Sequence, residues 1–379
     1  MNGVTHSVLQ LLAHLRREGH DALVIAPASS WAGPAWAAHP APDSVEGFDV
    51  VRLPSLALNG YPNVRVAAGT VARVRRLLAA YSPDVVHVAS PFVLGWRAIQ
   101  AAEQLGLPTV SVYQTEIPAY AGRYGAPWLE QLLWTHVGAM HGASTLNLVP
   151  SNYSMAQLRD AGVPRVRMWR RGVDAVRFHP SKRSEALRAK LAPHGERLIG
   201  FVGRLAAEKQ VEDLAALDAL PGARLVIVGS GPLKDQLRAQ LPNAHFAGFL
   251  GGDELAETVA SFDLFVHPGE SETFCQTIQE AMAAGVPVVA VGRGGPLDLV
   301  DSSRTGWVYA PGDLSDLAAR ASDLLYDDAK RAAFGDAARE AVRGRTWEAL
   351  CDELLGHYRR AMDVKSRQLH AEALGYIGL

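Results

Sequence analysis

Apolar positions along the chain alternate between two periods. In the second half, short apolar runs recur at 198–202, 224–228, 245–249, 262–267 and 286–291, and the stretches between them carry helical spacing. That alternation predicts an α/β fold with a doubly wound parallel sheet, its strands buried on both faces and its helices in the gaps. Ligands of such sheets bind beyond the carboxyl ends of the strands. The first half alternates less regularly. A helix is predicted over 7–18 with Gly19 as its stop, followed by a strand over 22–26. From 28 to 65, Pro, Gly, Asn and Ser punctuate the pattern around one short strand at 50–53, so loops with little regular structure are expected. Next come a helix over 66–81, strands at 83–89 and 109–113 with a helix over 95–105 between them, and a helix over 128–141. A strand at 146–149, a helix over 153–161 capped by Ser151 or Asn152, and a strand at 165–169 complete this half. A last helix is expected over 347–362, with a loose tail over 363–379.

At 379 residues the chain is too long for one ordinary core, and two domains are expected. A composition of 48% hydrophobic and 20% charged residues describes a soluble globular protein. The net charge of −2 carries no nucleic-acid signature, and no nucleic-acid partner is expected. Its distribution says more: residues 1–180 carry a net +4 and the remainder −6, so the front half is the one suited to an anionic partner. Within the predicted helix over 66–81, Val71, Val74, Leu77 and Leu78 share one side, while Arg65, Arg73, Arg75 and Arg76 surround the rest. Such a helix can lie on anionic lipid headgroups, and an ordinary solvated face has the same pattern. Two cysteines, Cys275 and Cys351, cannot build a disulfide framework, and no Cys/His cluster has zinc spacing, which fits a reducing cytoplasm. No apolar run is long enough to span a bilayer. A cytoplasmic protein is expected, peripheral on the inner face of the cell membrane at most.

The densest chemistry lies in residues 267–289. Glu272 stands in a polar loop after a strand, and Glu280 follows on a helix expected to begin at Thr273 or Phe274, with Phe274, Ile278, Ala281 and Met282 at helical spacing. The first free N–H groups of that helix then point into the space shared with Glu272, a place suited to a polyhydroxylated or phosphorylated ligand. Acids there would repel phosphate, so sugar or ribose hydroxyls are their natural partners. Two acids at a helix start are also explained by the helix dipole alone. After the first strand of the second half stands Gly203-Arg204-Leu205-Ala206-Ala207-Glu208-Lys209. Its Arg and Lys can hold a diphosphate and offset the charge that grows on a departing nucleotide. Gly229-Ser230-Gly231-Pro232 suggests a dinucleotide fingerprint, but Lys234 occupies the third glycine position, and Gly292-Arg293-Gly294-Gly295 fails the same way. A hydride-transfer enzyme is therefore disfavoured.

Glu272, Phe274, Glu280 and the continuation Glu-Ala-Met-Ala-x-Gly-x-Pro-Val-Val over 280–289 resemble the Glu-x7-Glu signature of the retaining GT-B glycosyltransferases of family GT4. Gly203-Arg204-Leu205-x-x-Glu208-Lys209 is similar to a second motif of the family, and Arg171-Gly172-Val173-Asp174 to its interdomain crossing, where Asn-Gly-Val-Asp is usual. The resemblance implies a GT-B fold of two Rossmann-like domains facing across a cleft. Residues 1–172 would form the acceptor-side domain, 173–350 the nucleotide-sugar-binding domain, and 351–379 a helix returning to the first domain plus a tail. It also implies that the family's first strand, which precedes Asn2-Gly3 and leads into a glycine loop beside the donor phosphates, is missing from this chain. By the same resemblance Gly3, Gly203, Arg204 and Lys209 would meet the donor diphosphate, Glu280 the ribose, and the backbone near Leu250 the base. Glu272 and the amides of Phe274, Cys275 and Gln276 would meet the donor sugar. Cys275 stands where Gly is common, and Gln114 where many relatives have His. Gln114 can bond a sugar hydroxyl from the front domain but cannot change charge near neutral pH. Glu116 is the only acid near it, and an exposed loop position is its simpler reading.

Glu-Thr-Phe-Cys-Gln over 272–276, Tyr-Gln-Thr-Glu over 113–116 and Arg-Gly-Val-Asp over 171–174 look most like bacterial GDP-mannose-dependent α-mannosyltransferases that extend glycolipids. The sulfolipid and glucosyl branches, which use UDP-sugars, share much of the same sequence. The implied reaction retains anomeric configuration and needs no cofactor, the nucleotide sugar being a substrate. The chain has no Asp-x-Asp pair, which argues against the metal-dependent single-domain architecture and leaves Arg204 and Lys209 to do what a divalent cation would otherwise do. A nucleotide-sugar epimerase or hydrolase and a non-catalytic binder are the other readings.

Overall fold

The computed structural model describes residues 3–28, 43–58, 61–67, 69–90, 92–116, 118 and 127–377. The first helix, Gly3–Arg17, buries Leu11, Leu12 and Leu15. It begins four residues before the expected 7–18, because Val4, Thr5 and His6 contain no breaker. Among the described residues nine strands belong to the front half: β1 (Val24–Pro27), β2 (Ser44–Val45), β3 (Phe48–Leu53), β4 (Ser55–Leu58), β5 (Tyr61–Ala67), β6 (Val86–Val88), β7 (Thr109–Val112), β8 (Leu146–Val149) and β9 (Val166–Met168). β1 pairs in parallel with β3, and β2 closes on β3 antiparallel. β6 to β9 form a four-stranded parallel sheet in that order. Among the described residues no ladder joins these two sets, yet they share a core in which Leu53 and Ala67 pack with Val86, Val88 and Ile99.

The expectation of loops over 28–65 is corrected. β2 and β3 form one antiparallel pair, and β4 and β5 another, so strand pairing overrides the Pro, Asn and Gly that read as punctuation. Residues 29–42 lie outside the described residues. The following helix is Val71–Tyr81, shorter than 66–81, with Thr70 accepting the Arg73 amide as its cap. Arg65 is therefore not on that helix. It sits on β5, where its Nε donates to Ser55 Oγ at 2.7 Å and its Nη2 to the Ser55 carbonyl at 2.9 Å. Arg73, Arg75 and Arg76 are on the helix and exposed.

The back half holds six parallel strands, β10 (Arg197–Val202), β11 (Ala223–Val228), β12 (His245–Gly248), β13 (Leu264–His267), β14 (Val288–Val291) and β15 (Gly306–Tyr309), in the order β12-β11-β10-β13-β14-β15. Five of them lie within two residues of the expected runs. β15 was not expected, since its four residues, with Trp307 and Val308 only half-buried, give a weak apolar signal. Strand numbers rise outward in both directions from β10, which makes the boundary between β10 and β13 the switch point of the sheet.

The last helix, Trp347–Ile377, continues where a loose tail was expected, because 363–374 contains neither Gly nor Pro. It packs on the front half: Leu350, Cys351, Leu354, Tyr358 and Ala361 are buried with Leu11, Leu12, Leu15, Val110, Leu146 and Trp169. The Trp169 indole donates to the Leu350 carbonyl at 2.7 Å. The crossing segment passes so close that a Cβ on Gly172 would lie 2.5 Å from the Trp347 Cα. Among the described residues no helix is long and apolar enough to cross a membrane. If the last helix completes the front core, Leu354→Ala, at a fully buried site, should cost about 2–5 kcal/mol in urea unfolding. Leu374→Ala, at an exposed site, should stay within about 0.5 kcal/mol. Equal effects would contradict this packing.

Candidate active site

Because β10 and β13 are neighbours, the loops leaving their carboxyl ends share one place. Lys209, from the first loop, donates from Nζ to Glu272 Oε1 in the second. His267, the last residue of β13, puts Nε2 2.9 Å from the same oxygen. Glu272 is 9% exposed and His267 1%. Burial alone would raise the Glu272 carboxyl, but Lys209 and then His267 outweigh it and bring it down to about 2. Burial likewise opposes charge on His267, yet Cys275 and Glu272 beside it bring the imidazole up to about 9. At neutral pH the three side chains thus form an ammonium, a carboxylate and an imidazolium. A reciprocal pair ties the same two loops together: Gln210 Nε2 donates to Glu270 Oε1 at 3.2 Å, and the Glu270 amide donates to Gln210 Oε1 at 2.8 Å.

Glycines let further loops lie against this turn. A Cβ on Gly229 would meet the Gly203 carbonyl at 1.8 Å, and one on Gly295 would meet the Phe274 amide nitrogen at 2.4 Å. The Gly295 amide donates to the Glu272 carbonyl at 2.6 Å. The two glycine patterns that fail as dinucleotide fingerprints therefore serve close packing around the motif. Arg204 stands exposed at the end of β10, five residues before Lys209, and Leu250 is half-buried in the loop after β12.

The motif helix is Gln276–Ala283, so it starts later than Thr273 or Phe274. Cys275 precedes it as the cap residue with φ +77°, a left-handed conformation that glycine adopts without strain. That conformation accounts for the Gly usual at this position. The Phe274 side chain is buried in the back core. Gln276 Nε2 donates to the Gly172 carbonyl and Gln279 Nε2 to the Arg171 carbonyl, both at 2.9 Å, so this helix also grips the crossing segment. Glu280 is half-buried, and burial, aided by Asp174, pushes its carboxyl up to about 8 against Gln276 and Arg177. Protonated at neutral pH, it can donate a hydrogen bond as well as accept one.

On the front side, the Gln114 amide is held between the Ala89 carbonyl and the Arg171 guanidinium, while its own carbonyl accepts from Thr273 Oγ1 at 3.0 Å. Gln114 thus meets the motif turn through its backbone. Glu116 is not an exposed loop residue. It is 3% exposed and accepts from Tyr153 Oη at 2.8 Å and from Gln157. Burial raises its carboxyl above the ordinary value, Tyr153 and Gln157 opposing. Gly3 lies exposed at the amino end of the first helix, and its carbonyl accepts from Arg171 Nη1 at 3.3 Å. Asn152 closes the two halves, donating from its amide and side chain to Asp298 at 2.9 and 2.5 Å.

Two residues at the centre were not singled out from sequence. His267 reads there as the end of an apolar strand, its only signal being an imidazole ahead of an acidic loop. Arg171 reads only as a departure from Asn. His267, Glu272 and Cys275 together offer ligand atoms within 4.8 Å of one another, as a metal site would. Lys209 donates to Glu272 Oε1 in the same cluster.

Comparison with known proteins shows the family. Residues 1–177 match Glycosyltransferase Family 4 and residues 182–341 match Glycosyl transferases group 1. The GDP-mannose-dependent alpha-mannosyltransferase of Mycobacterium tuberculosis is 44% identical over 372 residues, covering 97% of this chain and 95% of that protein. The enzyme of the same description from Corynebacterium glutamicum is 43% identical over 374 residues, covering 97% and 87%. The chain is a family 4 glycosyltransferase. Its fold is GT-B: the solved structure of Anabaena Alr3699/HepE in complex with UDP and glucose superposes with a TM-score of 0.74 at 20% identity, over 94% of this chain and 95% of that one.

In this glycosyltransferase the charged turn has a pH signature. His267 is raised from 6.5 to about 9, so its contribution is fully present below pH 6.5 and is lost as pH rises through about 9. Glu280, raised from 4.5 to about 8, adds a loss of the same sign at lower pH, whereas the Glu272 contribution is lost only in acid, as pH falls from 4.5 through about 2. The melting temperature should therefore fall between pH 6.5 and 9, and His267→Gln should flatten that fall. An identical profile in the variant would remove His267 from the network.

Proposed function

We propose that this glycosyltransferase moves mannose from GDP-mannose onto a lipid or glycolipid acceptor at a membrane surface, with retention of anomeric configuration and without a metal. The donor assignment is supported by the GDP-mannose dependence of the relatives at 43% and 44% identity. The observation that carries the chemistry is the convergence of Lys209, Glu272 and His267 at the ends of β10 and β13, beside a helix that carries Glu280.

In this reading the diphosphate lies against Arg204 and Lys209, with Gly203 leaving room for it and Gly3 beside it on the front side. Glu280 holds the ribose, and the backbone at Leu250 meets the base. Glu272 and the amides of Phe274, Cys275 and Gln276 orient the sugar. The bond between the anomeric carbon and the phosphate oxygen breaks, the acceptor oxygen bonds to that carbon from the same face, and the departing phosphate takes the acceptor proton. Arg204 and Lys209 stabilise the charge that collects on the diphosphate, a role often given to a divalent cation. Lys209 must then exchange part of its contact with Glu272 for phosphate oxygens, which frees a Glu272 oxygen for a sugar hydroxyl. Gln114 and Glu116 flank the acceptor side. Exposed Arg73, Arg75 and Arg76 fit peripheral contact with anionic lipid, and a cytoplasmic location follows from that reading.

Incubation with radiolabelled GDP-mannose and membranes in EDTA should give labelled lipid; its absence counts against the acceptor class, and its dependence on added metal against metal-free transfer. Calorimetric titration should show GDP binding more tightly than UDP, and the reverse order would favour a UDP-sugar donor. Arg204→Ala and Lys209→Ala should each lower turnover by about 100-fold or more, and Lys209→Ala alone should also lower the melting temperature by removing a partner of buried Glu272. Gln114→Ala should do less, and equal activity in all three would undo the assigned roles.

A further inference from the structure

His141 is a buried imidazole with one nitrogen left unengaged. It sits on the helix Glu130–Ala143 and is 0% exposed. Its state is fixed by Asn147 of β8, equally buried. The Asn147 Nδ2 donates to the His141 carbonyl at 2.8 Å and to the Pro164 carbonyl at 3.0 Å, which uses both amide hydrogens. Oδ1 is therefore the atom that faces His141 Nδ1 at 2.8 Å, and Nδ1 carries the proton. Burial brings the ring down to about 4, with Asn147 opposing, so the imidazole is uncharged at neutral pH. Nε2 keeps a lone pair, and among the described residues it has no hydrogen-bond partner. A buried acceptor without a donor is uncommon and costly.

The same ring borders a cavity. One end of it is formed by exposed Ser90 and half-buried Gln114 and Thr115, which follow β6 and β7, and its wall by Val112, Val137 and Met140. Tyr113 packs edge-on against the imidazole, with centroids 5.6 Å apart, and so fixes its plane. The open end lies beside the motif turn, because the Gln114 carbonyl accepts from Thr273 Oγ1. The cavity measures about 20 Å³. One water needs about 10–15 Å³, so a sugar ring is too large for this space and a single hydroxyl arm fits. A lodged water would also want about two to four polar partners, whereas Val112, Val137 and Met140 offer apolar surface. A CH2–OH arm suits both: its methylene meets those side chains and its hydroxyl meets Nε2.

We infer that His141 Nε2 accepts a hydrogen bond from a primary alcohol arm of a sugar substrate, inserted past Gln114 into this cavity. The inference rests on the glycosyl-transfer reading and makes His141 a specificity-determining residue of that site. Two sources carry the chemistry: the hydroxymethyl group of the donor mannose, and that of an acceptor hexose.

Calorimetry with GDP-mannose and GDP-6-deoxymannose reads the first source. The KM values of an alkyl glucoside and its 6-deoxy analogue as acceptors read the second. In the wild-type chain one of these pairs should favour the hydroxylated ligand by about fivefold to tenfold. His141→Asn keeps a donor toward Asn147 and removes the acceptor at Nε2. It should erase that preference by weakening the hydroxylated ligand and leaving the deoxy ligand unchanged. In protein labelled with 15N-histidine, the Nε2 resonance of His141 should move when the hydroxylated ligand binds and stay in place with the deoxy one. A purely structural role lowers the melting temperature of the variant and leaves any preference intact. Equal affinities for both members of both pairs in the wild-type chain, or an Nε2 resonance that no ligand moves, overturn the inference and leave a trapped water only. Both readouts use the wild-type chain, so they decide even where His141→Asn does not fold. Failure of any sugar transfer would count against the proposed function, and the donor calorimetry and the Nε2 resonance would still decide on His141.

Discussion

A carboxylate taken out of water must be paired, and in this protein the pairing of Glu272 fixes where everything else can stand. Lys209 reaches it from the loop after β10, and His267 from the end of β13. Removing one partner of such a buried group costs about 3–5 kcal/mol, so the two loops are held in one register. The pairing lies where strand numbering turns outward from β10, the place where a doubly wound sheet opens a crevice between its loops. Charge and topology therefore select the same spot. The Gln210–Glu270 exchange and the close approach of Gly295 to Phe274 leave this turn little freedom. In the proposed reaction the same cation changes partners when a diphosphate arrives, and the site is preorganised for that exchange.

The crossing segment transmits this order to the front half. Gln276 and Gln279 hold the carbonyls of Gly172 and Arg171, Gly172 lies against Trp347, and the last helix completes the core under the first one. Gln114 and Asn152 then meet the back half directly. The cleft is thus lined by two kinds of polar group. On the back side the charges are paired, while on the front side Arg171 is balanced only by neutral oxygens. The net +4 of residues 1–180 follows the same division.

Much of the back half was legible in the sequence. Its strands are buried on both faces and read as continuous apolar runs, and Glu272, Glu280, Arg204 and Lys209 stand in motifs whose spacing follows from strand, loop and helix. The front half was less legible, because β4 and β5 form a hairpin whose alternation is interrupted by Pro and Asn, and because Arg65 finds its partner, Ser55, only once that hairpin exists. The helix start was misplaced because a positive φ at Cys275 cannot be read from a cysteine. Glu116 was taken as exposed since nothing in its neighbours announces Tyr153 and Gln157, which cover it from a helix far along the chain. His267 was missed for a similar reason: its importance comes from charge pairing in three dimensions.

The most direct test of the account is a crystal structure with GDP-mannose bound. The account places the diphosphate on Arg204 and Lys209, the ribose on Glu280 and the sugar at the Glu272 turn, with Lys209 drawn from Glu272 toward phosphate. A nucleotide bound elsewhere, or one that leaves Lys209 wholly engaged with Glu272 and touches neither cation, would contradict it.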